Sequence, residues 1–238
     1  MKTRGIALHS IRYSDTGNIV LVYTEEFGRR SYMVHGGAGK KSSRKMSLFQ
    51  PLNLLMLEVD HKPNREIQRI REVTVLTPLT ELHSHISKTV IALFCAEIIY
   101  RTVHEEESNL SLFSFLHHSI QVLDLLQAGA ENFHLSFLVQ FSRHLGFYPT
   151  DNFSEENSCF DYRTGHFAPP GPYEQVFDKS VSHHIHRLLM LSYNELDKLE
   201  LSGNLRSSLL EKLLRFYQFH VEGLGTVKSL KILQEVFA

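Results

Sequence analysis

The feature that most constrains the fold is a change in the spacing of apolar residues at Thr77-Pro78. Before this point, short runs rich in Val, Ile and Tyr are separated by turn residues, which is typical of β-strands. After it, apolar residues such as Ile86, Val90 and Phe94 recur at helical spacing. Proline cannot continue a strand ladder, so Thr77-Pro78 is the predicted boundary. The predicted fold class is α+β (multi-domain), with a β domain at 1–78 and a helical domain at 79–238.

The β domain is predicted to hold five strands, which have turn residues between them: Gly5–Tyr13, Asn18–Thr24, Arg29–His35, Leu52–Asp60 and Glu66–Leu76. Five short strands with one long connection, between the third and the fourth, predict a small closed barrel of the OB type. An SH3-like barrel is the competing all-β architecture.

The helical domain is predicted to be a bundle. A first helix runs through 86–98, and it is followed by five more: Leu110–Leu126, Glu131–Leu145, Val176–Leu196, Leu205–Val221 and Val227–Phe237. A non-helical insertion at about 150–175 interrupts the bundle. Within it, Cys159–Tyr162 and His166-Phe167 form a predicted hairpin. Prolines then hold the chain extended.

The charge of the chain is distributed unevenly. The formal net charge is only −1. Residues 1–80 nevertheless carry a net charge of +6, whereas residues 81–238 carry −7. A basic part joined to an acidic part predicts a polyanion site on the β domain alone.

A glycine-rich, cationic loop follows the third predicted strand. Glycines at 36, 37 and 39 free the backbone, and four cations follow within six residues: Lys40, Lys41, Arg44 and Lys45. Such a loop attracts a phosphate backbone. The alternative is a solvated basic loop without a partner. A nucleotide-binding Walker loop is excluded, because Lys41 follows Gly39-Lys40 and Val34 stands where the first glycine belongs.

Tyrosines and arginines alternate along the first three predicted strands. Base stacking on aromatic rings, combined with cations along the backbone, is how OB folds hold single strands. The alternative is that these tyrosines fill the barrel core. The predicted DNA-binding residues are Arg12, Arg29, Arg30, Tyr32, Lys40, Lys41, Arg44 and Lys45.

No motif assembles a catalytic or metal centre. Fifteen histidines are present, but His183 and His186 have no further ligand at a matching position. Cys159 belongs to no C-x-x-C pair, and a nucleophile elbow is absent. The sequence therefore predicts no catalytic residue, no metal and no cofactor. A histidine-dependent hydrolase in the helical domain remains a rival hypothesis.

The sequence also predicts a cytoplasmic protein. The N-terminus has no apolar run like that of a signal peptide. The apolar run Val90–Ala96 is too short to span a bilayer. With only two cysteines, Cys95 and Cys159, no disulfide framework is implied.

Several short motifs resemble the RecO family of bacterial recombination mediators. Each motif is short, but their order and spacing agree with the family along nearly the whole chain. They are Gly5-Ile6-Ala7-Leu8-His9, Arg12-Tyr13-Ser14-Asp15, Tyr23-Thr24-Glu25-Glu26-Phe27-Gly28-Arg29, the Gly36–Lys45 loop, Phe49-Gln50-Pro51-Leu52, Leu145-Gly146-Phe147-Tyr148-Pro149 and Lys228-Ser229-Leu230.

The resemblance implies an N-terminal OB domain and a helical C-terminal domain. It implies a non-enzymatic protein that binds single- and double-stranded DNA and anneals complementary strands. The implied partners are RecR and the single-strand-binding protein SSB, and indirectly RecA, which is loaded onto SSB-coated DNA in recombinational repair. The implied location is the bacterial cytoplasm, in association with the nucleoid.

The chain departs from the family pattern at two places. Many members carry a four-cysteine zinc hairpin, where this chain has only Cys159, so no zinc is predicted. Members often carry Arg-Phe-Glu in a contact for the SSB tail, where this chain has Ser136-Phe137-Leu138. The alternative function is an OB-fold RNA-binding or translation-associated protein, because contacts to a 2′-hydroxyl cannot be read from sequence.

Overall fold

A computed structural model describes residues 1–14, 17–35 and 45–237 of the chain. Two compact units are present, Met1–Asp124 and Leu125–Ala238. Each unit has its own core. Among the described residues, no helix is both long enough and apolar enough to cross a membrane.

The first unit contains a closed five-stranded barrel, which confirms the predicted architecture. Its strands are β1 (Lys2–Arg12), β2 (Gly17–Thr24), β3 (Gly28–His35), β4 (Leu54–Asp60) and β5 (Ile67–Thr77). They follow one another around the barrel in the order β1-β2-β3-β5-β4. The β3–β5 pair is parallel, and the other pairs are antiparallel.

The boundaries of the strands agree with the predicted ones to within three residues. The largest difference is at β1, which begins at Lys2 because its first residues pair with β4, and Lys2 lies opposite Glu58. Strand β4 begins two residues later than predicted. The preceding Leu52 has φ of 65°, a left-handed conformation that cannot join a strand ladder.

The barrel core is formed by alternate residues of the strands. Val20 of β2, Val34 of β3 and Leu57 of β4 are at most 1% exposed. Phe49, which precedes β4, packs into the same cluster. Because successive side chains of a strand point to opposite faces, the intervening residues face outward.

Three helices belong to the same unit as the barrel: α1 (Thr80–Ser84), α2 (Ile86–Thr102) and α3 (Leu110–Leu125). Helix α2 packs on β1. The side chain of Asn109 accepts a hydrogen bond from Leu112 N at 3.0 Å, so Asn109 caps α3. The change to helical structure after Pro78 is therefore as predicted, while the domain boundary at 78/79 stays a prediction.

The second unit is mainly helical. Its helices are α4 (Phe133–His144), α5 (Lys179–Met190), α6 (Gly203–His220) and α7 (Ser229–Phe237). The predicted helix over 176–196 is shorter in the structure, because the Asp178 side chain caps α5 by accepting from Val181 N. Around the predicted end of this helix, the chain forms a separate 3-10 helix, Tyr193–Lys198, with its own capping box.

The predicted hairpin lies between α4 and α5. Its strands are β6 (Cys159–Asp161) and β7 (His166–Ala168), which pair antiparallel. The Asn152 side chain accepts from Phe167 N and donates to Phe167 O, at 2.8 Å in each case. The insertion is therefore an ordered part of the second unit.

Candidate nucleic-acid interface

Two rows of outward side chains cross β1, β2, β3 and β5. The strand registers place residues side by side in each row. Their inward neighbours, such as Val20 and Tyr32, belong to the core. We call the two rows the open strip: Ile11, Ile19, Met33 and Arg69 in one row, and His9, Leu21, Ser31 and Ile67 in the other.

The open strip is apolar at its centre and accessible at its edges. Ile11 is 50% exposed and Ile67 is 36% exposed. Further along the same outward face, Tyr23 is buried and stacks with Phe113 of α3, with 6.2 Å between the ring centroids. The helices therefore cover one end of the outward face, and the strip continues beyond them from His9, whose ring stacks on Tyr100 of α2.

The predicted site residue Arg29 is engaged by the end of α2. Its Nη1 atom donates to Val103 O at 2.8 Å and to Tyr100 O at 3.1 Å, and it lies 2.9 Å from His104 Nδ1. An arginine at the C-terminus of a helix satisfies carbonyls that have no partner within the helix. Arg29 thus joins the barrel to α2.

The neighbouring site residue, Arg30, is engaged by the next part of the chain. Its Nε donates to Phe27 O at 3.1 Å, and its guanidinium contacts both the carboxylate and the carbonyl of Glu106. Only 15% of the Arg30 side chain is exposed. Both guanidinium groups thus hold parts of the fold together. Contact of Arg29 or Arg30 with DNA stays a prediction.

We call the segment His104–Ser108 the clamp, since it closes over the β2–β3 turn. Gly28 in this turn has φ of 60°, and a Cβ there would lie 2.3 Å from Glu107 O. Ser108 Oγ donates to Glu25 O at 2.7 Å. The Arg4 guanidinium pairs with the Glu25 carboxylate and lowers its pKa.

The structure corrects the prediction for Tyr32. Its side chain is fully buried in the barrel core, beside Val20 of β2. Burial raises the pKa of the phenol. No base can stack on a ring that is packed on all sides, so the core role considered for the tyrosines applies to Tyr32.

Of the other predicted residues, Arg12 and Lys45 are within the described residues, and three are outside them. Arg12 ends β1 and is exposed, and the adjacent Tyr13 is 65% exposed. Lys45 lines a shallow groove together with Leu48 and residues 70–75 of β5. Lys40, Lys41 and Arg44 lie outside the described residues.

The structure adds three cations that the sequence interpretation had not selected: Lys62, Arg65 and Arg69. The first two lie in the β4–β5 loop, which the buried Gln68 side chain holds in place. Its Nε2 donates to Lys62 O at 2.8 Å and to Arg65 O at 2.6 Å. The sequence signal for this group was the presence of four cations within residues 62–71. From sequence alone, however, such a loop cannot be distinguished from a solvated turn.

These three cations differ from Arg71 in their surroundings. Arg71 pairs with Asp60 at 2.5 Å. Within residues 1–14, 17–35 and 45–237, no carboxylate lies within ion-pair distance of Lys62, Arg65 or Arg69, and all three are exposed. Arg69 is itself part of the open strip. An apolar strip bordered by cations suits a ligand with both apolar and anionic parts.

The hairpin of the second unit does not fit a zinc ion. Cys159 is buried, and His166 Nδ1 lies 2.8 Å from Thr164 O. No three His, Cys, Asp or Glu side chains are grouped to hold a metal anywhere in the part of the chain that the structure describes. Aromatic contacts close the hairpin, with Phe160 and Phe167 ring centroids 5.2 Å apart.

Comparison with known proteins agrees with the motifs and the fold. Residues 1–79 match the family Recombination protein O N terminal, and residues 83–231 match Recombination protein O C terminal.

Similar full-length relatives are each described as DNA repair protein RecO. The relative from Azobacteroides pseudotrichonymphae is 37% identical over 99% of this chain and 98% of its own length. Those from Phocaeicola vulgatus and Flavobacterium psychrophilum are 37% and 33% identical, each over 100% of this chain and 99% of their own lengths. Both regions of the family match this chain in order, and each of these relatives matches over 98–99% of its own length. The chain therefore belongs to the RecO family of DNA repair proteins.

Proposed function

We propose that this protein is a recombination mediator that anneals complementary single strands and helps to load RecA onto SSB-coated DNA. The observation that carries the proposal is the open strip of a RecO-family barrel, bordered by the exposed cations Lys62, Arg65 and Arg69. Phosphate contacts from such cations give affinity that does not depend on base sequence.

Annealing requires that a bound strand keep its base edges free. The only ring in the open strip is that of His9, and it stacks on Tyr100 with 5.0 Å between the centroids. The strip thus offers no free aromatic platform, while the cations hold the backbone. Base edges then stay available for pairing with a second strand.

The proposed activity needs no ATP hydrolysis and no cofactor. The chain has no Walker loop, because Lys41 stands where Ser or Thr would bind magnesium. Annealing itself is exergonic once the two strands meet. We therefore propose a non-enzymatic protein of the cytoplasm that associates with the nucleoid.

A salt titration tests the DNA contact directly. If about five cations neutralise phosphates, log K against log salt has a slope of about −3 to −4 for single strands. Replacing Lys40, Lys41, Arg44 and Lys45 by Glu weakens binding to all sequences alike. Unchanged affinity in this quadruple variant removes the loop from the interface. Preference for single-stranded RNA over DNA in the same titration supports the RNA-binding alternative.

Although residues 81–238 are acidic as a whole, the second unit carries a local cluster of arginines and aromatic rings that suits an acidic, apolar protein segment. Phe219 is 52% exposed, and Arg163 lies 5.9 Å from its ring centroid. Arg215 lies 4.6 Å from the centroid of Tyr162 and donates to its hydroxyl at 3.0 Å. We propose that this cluster binds the acidic, apolar tail of SSB, since the family's usual Arg-Phe-Glu contact is replaced here.

RecR, and indirectly RecA, complete the proposed partners on the basis of family membership.

A fluorescence annealing assay tests the mediator role. Strands coated with intact SSB, or with SSB lacking its tail, are mixed with the protein in the absence of ATP. Annealing of naked strands but never of coated ones contradicts the mediator role. A Phe219→Ala and Arg163→Glu double variant loses annealing of coated strands and keeps annealing of naked ones. Equal annealing with and without the SSB tail excludes the proposed cluster.

A further inference from the structure

We infer that the open strip binds the bases and sugars of single-stranded DNA through aliphatic side chains, and thereby gives the protein a preference for single strands over duplex. This inference rests on the proposed function. It assigns the two kinds of DNA to two different sets of contacts. Cations bind either form, whereas the strip binds only a strand whose bases are unpaired.

The open strip is wide and continuous. The registers join Ile11, Ile19 and Met33 in one row and Leu21 and Ile67 in the next. Four adjacent strands, spaced about 4.8 Å apart, make the rows about 15 Å wide. A contiguous apolar patch on a barrel otherwise rich in charge marks a binding surface.

Cations lie at both edges of the open strip. Arg69 continues one row directly beside Met33. Arg65 lies in the loop that leads to Ile67, and Arg12 follows Ile11 at the opposite edge. A single strand that crosses the barrel can place phosphates on cations at both edges and lay the faces of its bases on the aliphatic centre, which leaves the base edges free for pairing.

Single strands and duplex differ in which surfaces of their bases are exposed. In a duplex the base faces are stacked on one another, so an aliphatic surface meets phosphates and sugars only. A single strand exposes apolar base faces to contact. Aliphatic side chains bury part of these faces and, like aromatic platforms, do not depend on which base is present.

The test removes apolar contacts at the exposed edges of the strip. The double variant Ile11→Ser and Ile67→Ser is compared with Ile232→Ser, which changes an equally accessible aliphatic residue (44% exposed) of α7 in the second unit. Fluorescence anisotropy with an oligo-dT strand and with a duplex of equal length, at several salt concentrations, gives both affinities. We expect the double variant to lose about tenfold in affinity for the single strand, with duplex affinity and salt slope unchanged. We expect Ile232→Ser to behave as the wild type.

A second measurement needs no variant. An abasic strand of the same length keeps the phosphates and lacks the bases. We expect the wild type to bind it about tenfold more weakly than oligo-dT, so the inference stays testable even if the double variant does not fold. Equal affinity for abasic and normal strands, or an equal loss for single strand and duplex in a folded double variant, overturns the inference. Failure of the wild type to bind any DNA would instead refute the proposed function.

Discussion

Two groups of cations lie on the same barrel and have different surroundings. Arg29 and Arg30 are adjacent in β3, and their guanidinium groups contact carbonyls and a carboxylate of the α2 end and the clamp. Lys62, Arg65 and Arg69 are exposed, and the structure shows no ion pair for them within its described residues. The first group holds the fold together, while the second is available for a ligand.

This difference shows that a cation's neighbours in sequence do not decide its role. Arg29 and Arg30 sit close to the glycine-rich basic loop, so their sequence context resembles a phosphate site. Their partners lie more than 70 residues further along the chain, in Tyr100–Glu106.

The largest effect is expected when the clamp and the helices are removed. A fragment of residues 1–78 lacks the partners of Arg29 and Arg30, and it uncovers Tyr23, which is 1% exposed in the intact chain. We expect this fragment to lose cooperative unfolding, whereas a fragment of residues 1–126 keeps it. Circular dichroism during thermal unfolding measures both. A cooperative transition in the shorter fragment would show that the clamp is dispensable.

The second prediction concerns Gly28, the closest contact of the clamp with the barrel. Gly28→Ala adds strain at positive φ and a clash with Glu107 O, so we expect it to lower the free energy of unfolding by about 3 kcal/mol. Gly146→Ala is the matched control, because Gly146 has φ of 86° and open space around it. We expect about 1 kcal/mol there. Urea unfolding measures both, and equal losses would show that the close contact is not destabilising.

The third prediction concerns the exposed cations. The double variant Arg65→Glu and Arg69→Glu is expected to lose at least tenfold in DNA affinity, about 1.4 kcal/mol, for single strands and duplex alike. The same charge change at the exposed Lys179 and Lys231 of the second unit is the control, and it should have little effect. Anisotropy titrations at several salt concentrations give the affinities and slopes. A loss only in the control would move the interface to the second unit.

The smallest effect is expected from pH. The pKa of Glu25 is lowered by its hydrogen bond with Arg4, so its stabilising contribution is present above the ordinary value of 4.5. It is lost as the pH falls through the lowered pKa. Because the pair is partly exposed, the contribution is under about 1 kcal/mol. The difference in unfolding free energy between wild type and Glu25→Gln should shrink between pH 6 and pH 3. A constant difference would show that Glu25 does not act through its charge.

The sequence alone determined the architecture. The period change at Pro78, the turn residues between apolar runs and the glycines predicted a five-stranded barrel followed by helices, and the structure has both. Local chemistry suffices here, because strand and helix periodicities reflect which residues face a core. Segment ends were less well predicted, since the cap at Asp178 and the left-handed Leu52 depend on individual backbone conformations.

The sequence determined less about the candidate site. The charge count assigns a net charge of +6 to residues 1–80. The selected residues Arg12, at the end of β1, and Lys45, beside β5, remain predicted DNA contacts. Tyr32 was assigned to the surface because alternation does not say which face of a strand is inward. The barrel's closure decides that, and it buries Tyr32.

Only the tertiary structure decided which cations are available and where the apolar strip lies. The strip joins residues of four strands, from Ile11 to Arg69, and no local pattern aligns residues so distant in sequence. The same holds for the clamp, which meets Arg30 from Glu106. Periodicity reports the environment of each residue, whereas an interface depends on the registers and long-range contacts that bring distant residues together.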